Sequence, residues 1–291
     1  MSKHSGAPRA EFLLFDTDDA VTLNALLFLP TAPTKSVVIY IPGMTGGFSG
    51  INDYGPMAAR LNEIGYALMV PNLRTAGLHG MLFARFADYA TDIKAAVALA
   101  KSRGLSEIAL FGTSLGGPRI INYWRETKEP AVKALGFVAS IKSPYLEAQM
   151  RFDETKKADF DAHLAKCREL VKAGRGRDML PYKDWFPGRD MDLAAHVFPD
   201  IFGTIEESDA STVKFGHEVT IPAVVIHGTA DDIALPPNGE AIYESLTNTP
   251  KRDLIWVEGG NHFLLRGSVA EGYAKAVSGW IGKNLPAVPA G

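Results

Sequence analysis

Apolar positions along this chain follow two alternating periodicities. Glu11 to Asp16 and Val21 to Pro30 are short apolar runs separated by Thr17-Asp18-Asp19, and predict an antiparallel opening hairpin. Lys35 to Ile41 is a continuous β-branched run, the pattern of a strand covered on both faces. It stops at Pro42-Gly43 and a glycine-rich loop. Met57, Leu61 and Ile64 then recur at helical spacing, with Gly65 as the stop. Tyr66 to Pro71 predicts a strand, and residues from about 83 to 103 a long Ala-rich helix closed by Gly104. Glu107 to Phe111 predicts the next strand, Leu115 to Glu126 a helix, and Val132 to Ile141 a further strand. Pro118 is tolerable in that helix because it falls in the first turn.

Between residues of about 146 and 218 the rhythm breaks. This segment holds no convincing strand. It offers one amphipathic helix, with Phe160, Leu164, Cys167 and Val171 on one face, and an aromatic stretch containing prolines. Alternation resumes with a strand at Ile221 to His227, a helix near Gly239 to Leu246 and a strand at Leu254 to Glu258. A final helix places Tyr273, Val277, Trp280 and Ile281 on one face. Strands alternating with helices predict an α/β architecture, a mostly parallel sheet flanked by helices on both faces with right-handed crossovers. The chain reads as one domain over residues 1–291, and 146–218 as a cap insertion over the carboxyl ends of the strands, where open α/β sheets bind ligands.

Composition removes several function classes. Hydrophobic residues make up 46% and charged residues 22%, an ordinary globular balance able to bury a core without staples. A formal charge of −3 gives no electrostatic basis for nucleic acid as a partner. The lone cysteine, Cys167, has no partner for an intramolecular disulfide. Acidic residues interrupt the N-terminal stretch before a signal-peptide core forms, and no apolar run approaches the ~18 residues of a membrane helix. The expectation is a soluble, cytoplasmic protein.

Chemistry concentrates at three strand ends. Gly112-Thr113-Ser114-Leu115-Gly116 fits G-x-S-x-G, a weak pattern alone. Here the strand EIALF runs in and a helix runs out, the context of a sharp turn that exposes a nucleophilic serine between small residues. Ser140 and Ser143 lack that glycine frame. A serine hydroxyl needs a base, and the base needs a carboxylate to orient it. Asp231 follows the strand IPAVVIHG, with Asp232 as its competitor, and His262 follows LIWVEGG. The order Ser, Asp, His is that of strand-turn-helix serine enzymes. Oxyanion donors are expected from the Leu115 N–H and from the loop at 42–47, with Met44 first and Thr45 second. His227 is expected to pack or bond locally. His79, His163, His196 and His217 show no metal-ligand spacing, and neither metal nor cofactor is expected.

Together these segments resemble the α/β-hydrolase superfamily, through the elbow GTSLG, the acid segment HGTADDIALP and GGNHF around the base. The resemblance spans nearly the whole chain. It implies the α/β-hydrolase fold with a helical cap and carries over Ser114, Asp231 and His262 as a triad. Two departures stand out: Pro42-Gly43 replaces the usual HG pair, and PNLR replaces the common D-x-R. The glycine-rich loop and long insertion are similar, to a lesser degree, to those of siderophore-esterase-like hydrolases. The implied activity is carboxylic-ester hydrolysis of a small acyl substrate through an acyl-enzyme. Thioester or amide cleavage, and a binding protein that keeps the fold, remain alternatives. Tyr182, Trp185, Phe186, Phe198 and Phe202 are either acyl-pocket walls or cap core. Arg74 and Lys142 are either contacts for an anionic substrate or solvated charges.

Overall fold

The structure is a computed structural model that describes residues 9–44, 47–48, 53–186, 189–263 and 267–290. Its strands are β1 (Arg9–Asp16), β2 (Thr22–Leu29), β3 (Ser36–Ile41), β4 (Ala67–Asn72), β5 (Glu107–Thr113), β6 (Val132–Val138), β7 (Tyr182–Phe186), β8 (Arg189–Met191), β9 (Ala223–Gly228) and β10 (Arg252–Val257). The helices are α1 (Gly55–Glu63), α2 (Leu78–Phe83), α3 (Asp88–Ser102), α4 (Gly116–Thr127), α5 (Pro144–Arg151), α6 (Glu154–Lys172), α7 (Val197–Phe202), α8 (Thr212–Phe215), α9 (Pro237–Ser245) and α10 (Ala270–Asn284).

Eight strands form one sheet in the order β1-β2-β4-β3-β5-β6-β9-β10. The β1–β2 hairpin is antiparallel and β2 runs antiparallel to β4; every other neighbour is parallel. Strand β3 shows why its sequence is apolar at every position. Val37, Ile39 and Ile41 face one layer with Ile93 and Val97 of α3 and Ile120 of α4. Val38 and Tyr40 face the other layer with Met57 and Leu61 of α1 and Val277 and Ile281 of α10. Because side chains alternate across a strand, a strand covered on both faces cannot alternate polar and apolar residues.

Three local expectations are corrected. The long helix expected from about residue 83 begins only at Asp88, as α3, and a separate short helix, α2, precedes it. The Asp88 carboxylate accepts the Arg85 N–H at 2.8 Å and that of Asp200 accepts the Phe86 N–H, giving the backbone an alternative to the helical ladder. The segment between β6 and β9, expected to lack strands, contains the hairpin β7–β8. Its pattern is too short to read: Lys183 and Asp190 pair on the solvent side at 2.6 Å, while Tyr182 and Met191 are buried. On α6 the buried stripe is Phe160, Leu164, Cys167 and Leu170, whereas Val171 is 44% exposed. Periodicity allowed Val171, and the packing partner decided otherwise.

Among the described residues no helix is long and apolar enough to cross a membrane. The segment between β6 and β9 is linked to α2 by His196, whose Nδ1 lies 2.7 Å from the Gly176 carbonyl and whose Nε2 lies 2.9 Å from that of Phe83.

The sheet interior leaves little room for added atoms. Gly136 of β6 pairs with Phe111 of β5, and a Cβ at Gly136 would overlap the Phe111 ring. Gly136→Ala is therefore expected to destabilise the fold by about 1–3 kcal/mol through overpacking, read as a lower denaturant midpoint at unchanged slope.

Candidate active site

Ser114 follows β5 directly and has φ +53°, a left-handed backbone that non-glycine residues adopt rarely. The turn is held from several sides. The Ser114 N–H donates to the Val138 carbonyl at 3.0 Å, and the Ser114 carbonyl accepts the Ser140 hydroxyl at 3.0 Å and the Gly117 N–H at 3.2 Å. Both glycines of the motif are sterically required. A Cβ on Gly112 would collide with the Gly116 backbone, and one on Gly116 would lie 2.5 Å from the Ile41 carbonyl oxygen. Ser140, set aside as a nucleophile in the sequence, thus supports the turn.

His262 lies in the loop beyond β10, its side chain 10% exposed. The Ser114 hydroxyl donates to His262 Nε2 at 3.1 Å, and His262 Nδ1 donates to both carboxylate oxygens of Asp231 at 3.1 Å. This pattern corresponds to the Nδ1–H tautomer of a neutral imidazole. Asp231 lies beyond β9 and is buried, whereas its neighbour Asp232 is exposed. Asp231 Oδ1 also accepts the Ile233 N–H at 2.9 Å and the Ala234 N–H at 2.8 Å. That short turn aims one acidic residue of the pair at the imidazole and leaves the other in solvent.

His227 completes the buried side of the site. Its Nε2 donates to the Ala234 carbonyl at 2.7 Å and lies 3.6 Å from Asp231 Oδ2. Burial pushes its pKa down, so the ring is neutral and adds no competing charge beside Asp231.

The loop after β3 meets the serine through Gly43. A Cβ there would lie 2.9 Å from Ser114 Cβ and 3.4 Å from its Oγ, so only bare backbone fits. Met44 follows, half-buried against the core. Thr45 lies outside the described residues. Leu115 is the N-cap of α4, where backbone N–H groups have no preceding helical carbonyl. From the buried face of α4, Arg119 Nη1 donates to the carbonyls of Pro42 at 3.0 Å and Gly43 at 2.7 Å. Nothing in the sequence reading pointed to Arg119; the available signal was a charged residue within the run GGPRIINYW.

The other candidate residues have partners of their own. Tyr182, Phe198 and Phe202 are buried, with the Tyr182 and Phe198 rings 6.1 and 5.6 Å from that of Phe160 and Phe202 stacked on Phe198 at 4.9 Å. They pack on one another within the same hydrophobic cluster as α3 and α4. The side chains of Trp185 and Phe186 lie outside the described residues. Arg74 is paired with two carboxylates, bonded to Asp92 at 2.7 and 2.9 Å and to Asp19 at 2.8 and 3.0 Å. Its hydrogen bonds hold Asp19 at about 2. Lys142 is half-buried, its Nζ 3.7 Å from Met150 Sδ. Among the described residues no group of three His, Cys, Asp or Glu side chains could hold a metal.

No family model matches the sequence, and no curated protein does. Solved structures do match its shape. The esterase domain of a Rhodothermus marinus protein is 17% identical at a TM-score of 0.63, with 94% of this chain and 98% of that one covered. Est1E from Butyrivibrio proteoclasticus, solved with ferulic acid bound, is 20% identical at 0.68, covering 94% and 99%. DcsB in complex with its substrate analogue is 16% identical at 0.73, covering 95% and 100%. With an eight-stranded, mostly parallel sheet, helices on both faces and this likeness over nearly its full length, the chain has the α/β-hydrolase fold.

Proposed function

We propose that the protein is a serine hydrolase that cleaves a carboxylic ester through an acyl-enzyme. The observation that carries this reading is the unbroken hydrogen-bond chain from buried Asp231 through His262 to the Ser114 hydroxyl, at the carboxyl ends of β9, β10 and β5. Structural neighbours described as esterases support it.

In this mechanism His262 Nε2 takes the Ser114 proton as Oγ attacks the acyl carbon. The carbonyl oxygen becomes an oxyanion, stabilised by the Leu115 and Met44 N–H groups. Asp231 keeps Nδ1 protonated and stabilises the imidazolium that forms. Collapse of the tetrahedral intermediate expels the alkoxide, which takes the proton from His262 and leaves as the alcohol. Water then attacks the acyl-enzyme, giving its proton to His262, and the second collapse returns that proton to Ser114 Oγ as the acid departs. No step calls for a metal or cofactor. The insertion over 146–218 acts as a cap that lines the acyl or alcohol pocket. Its aromatic cluster at Phe160, Tyr182 and Phe198 gives the cap its shape. Because Est1E holds ferulic acid, a feruloyl ester belongs among the first substrates to test.

Fluorophosphonate labelling alongside p-nitrophenyl acetate and butyrate turnover tests the reading. Ser114→Ala is expected to abolish labelling and to lower kcat by on the order of 10⁵–10⁶-fold. Labelling without ester turnover would redirect the substrate to a thioester or amide. A folded wild-type protein that neither labels nor turns over would refute the nucleophile.

The two acidic neighbours separate in the same assay. Asp231→Asn is expected to lower kcat by about 10⁴-fold, because an amide stabilises the wrong tautomer of His262. Asp232→Asn, at an exposed position, is expected to stay within about threefold of wild type. Equal losses in the two variants would contradict the assignment.

A further inference from the structure

Arg119 is buried to 1% exposure, the only charged residue on the buried face of α4. Its guanidinium carbon lies 3.9 Å above the centre of the Tyr89 ring. Among the described residues it hydrogen-bonds to no carboxylate; Asp92, the buried acid on α3, is occupied by Arg74. Its Nε and Nη2 have no hydrogen-bond partner there either. A buried cation in this state is costly, and an apolar side chain of similar length would pack α4 at less expense. The hydrogen bonds from Arg119 Nη1 go to two consecutive backbone carbonyls, those of Pro42 and Gly43.

Those carbonyls dictate where the loop's amides point. In a planar trans peptide the C=O and the following N–H are antiparallel. Pinning the Gly43 carbonyl against Arg119 therefore turns the Met44 N–H away from Arg119. Pinning the Pro42 carbonyl does the same to the Gly43 N–H. Consecutive amides turned one way form an anion-binding concavity. Gly43 is also the residue whose backbone touches Ser114. Glycine allows the adjoining peptide planes to flip freely, so a loop built on it needs an outside restraint. Charge-assisted hydrogen bonds supply one.

We infer that Arg119 is the positioning residue of the oxyanion hole: it locks the Gly43–Met44 peptide so that the Met44 N–H faces the developing oxyanion. This rests on the ester-hydrolase reading above. It makes α4 responsible for both donors, since the helix carries Leu115 at its N-cap and grips the second donor's peptide from one turn further on. Arg119 touches no reacting atom. Its effect falls on the transition state, where the oxyanion exists, more than on the substrate complex.

The test compares wild type with Arg119→Met, which keeps length without donors, and Arg119→Lys, which keeps charge without the fork. The readouts are kcat and KM on p-nitrophenyl butyrate, affinity for a trifluoromethyl ketone that forms an oxyanion on Ser114, and melting temperature. In Arg119→Met, kcat is expected to fall about 10–100-fold with KM within about threefold, since small misplacement of a donor is felt in the transition state. Ketone affinity should fall in parallel with kcat, and Arg119→Lys should lie between the two. A lower melting temperature with unchanged kcat and ketone affinity would make Arg119 merely structural and overturn the inference. So would kcat and KM changing together with ketone binding intact. If Arg119→Met does not fold, Arg119→Lys decides: a loss of about fivefold or more in kcat at constant KM supports the role, and kcat within about twofold overturns it. Wild-type protein that labels at Ser114 and turns over ester, beside Arg119 variants with unchanged kinetics, refutes this inference alone. Wild-type protein without either activity refutes both readings.

Discussion

Ser114 occupies a left-handed backbone conformation that costs a non-glycine residue about 1–2 kcal/mol, and the geometry of the site depends on that cost being met by its surroundings. Three backbone or hydroxyl hydrogen bonds hold the residue: to Val138, from Ser140 and from Gly117. Two glycines let neighbouring backbone approach where any Cβ would intrude. Ala139, just beyond β6, is also left-handed and donates its N–H to the Ile226 carbonyl at 2.8 Å. The sheet thus extends its hydrogen bonding past the ends of β5 and β6 and fixes the turn from beside and below. The serine hydroxyl is presented to His262 because the sheet can sustain this strain, a recurring relation between stored backbone strain and function.

Burial of charge around the site follows a consistent rule: a buried ionisable group must be paired, hydrogen-bonded or neutral. Asp231 meets it with two backbone N–H groups and the imidazole. His227 meets it by remaining neutral, as burial lowers its pKa. Arg74 meets it through two aspartates that tie the end of β4 to α3 and to the β1–β2 turn. Arg119 meets it least fully, with backbone carbonyls and an aromatic face but no carboxylate. The loop it grips is the one whose backbone touches the serine.

The insertion has its own logic. Phe160, Tyr182 and Phe198 pack edge-on or tilted around one another, with the His163 ring 4.5 Å from Phe198. Burial lowers the His163 pKa, in keeping with its apolar surroundings. This aromatic cluster joins the same hydrophobic layer as α3 and α4.

Local patterns made much of the molecule legible. The β3 run declared a doubly covered strand, the strand–glycine–serine–glycine–helix succession declared the turn, and the strand-end positions of Asp231 and His262 were visible in the sequence. Each of these depends on residues adjacent in the chain, whose sterics and periodicity are expressed directly in their order. Other features depend on partners far away in sequence. Asp231 and Asp232 are equivalent acids until a turn onto Ile233 and Ala234 points one inward. Tyr182, Phe198 and Phe202 could line a pocket or fill a core until helix α6 supplies Phe160. Arg74 was an open charge until Asp19 and Asp92 closed on it, and Arg119 was an ordinary helical arginine until the carbonyls of Pro42 and Gly43, some 76 residues earlier, met its guanidinium. The sequence alone determined the strand–helix alternation of a mostly parallel sheet and the chemistry available at its strand ends. Tertiary structure decided which of several equivalent polar groups is buried and aimed, because that choice is made by hydrogen bonds between segments that only folding brings into reach.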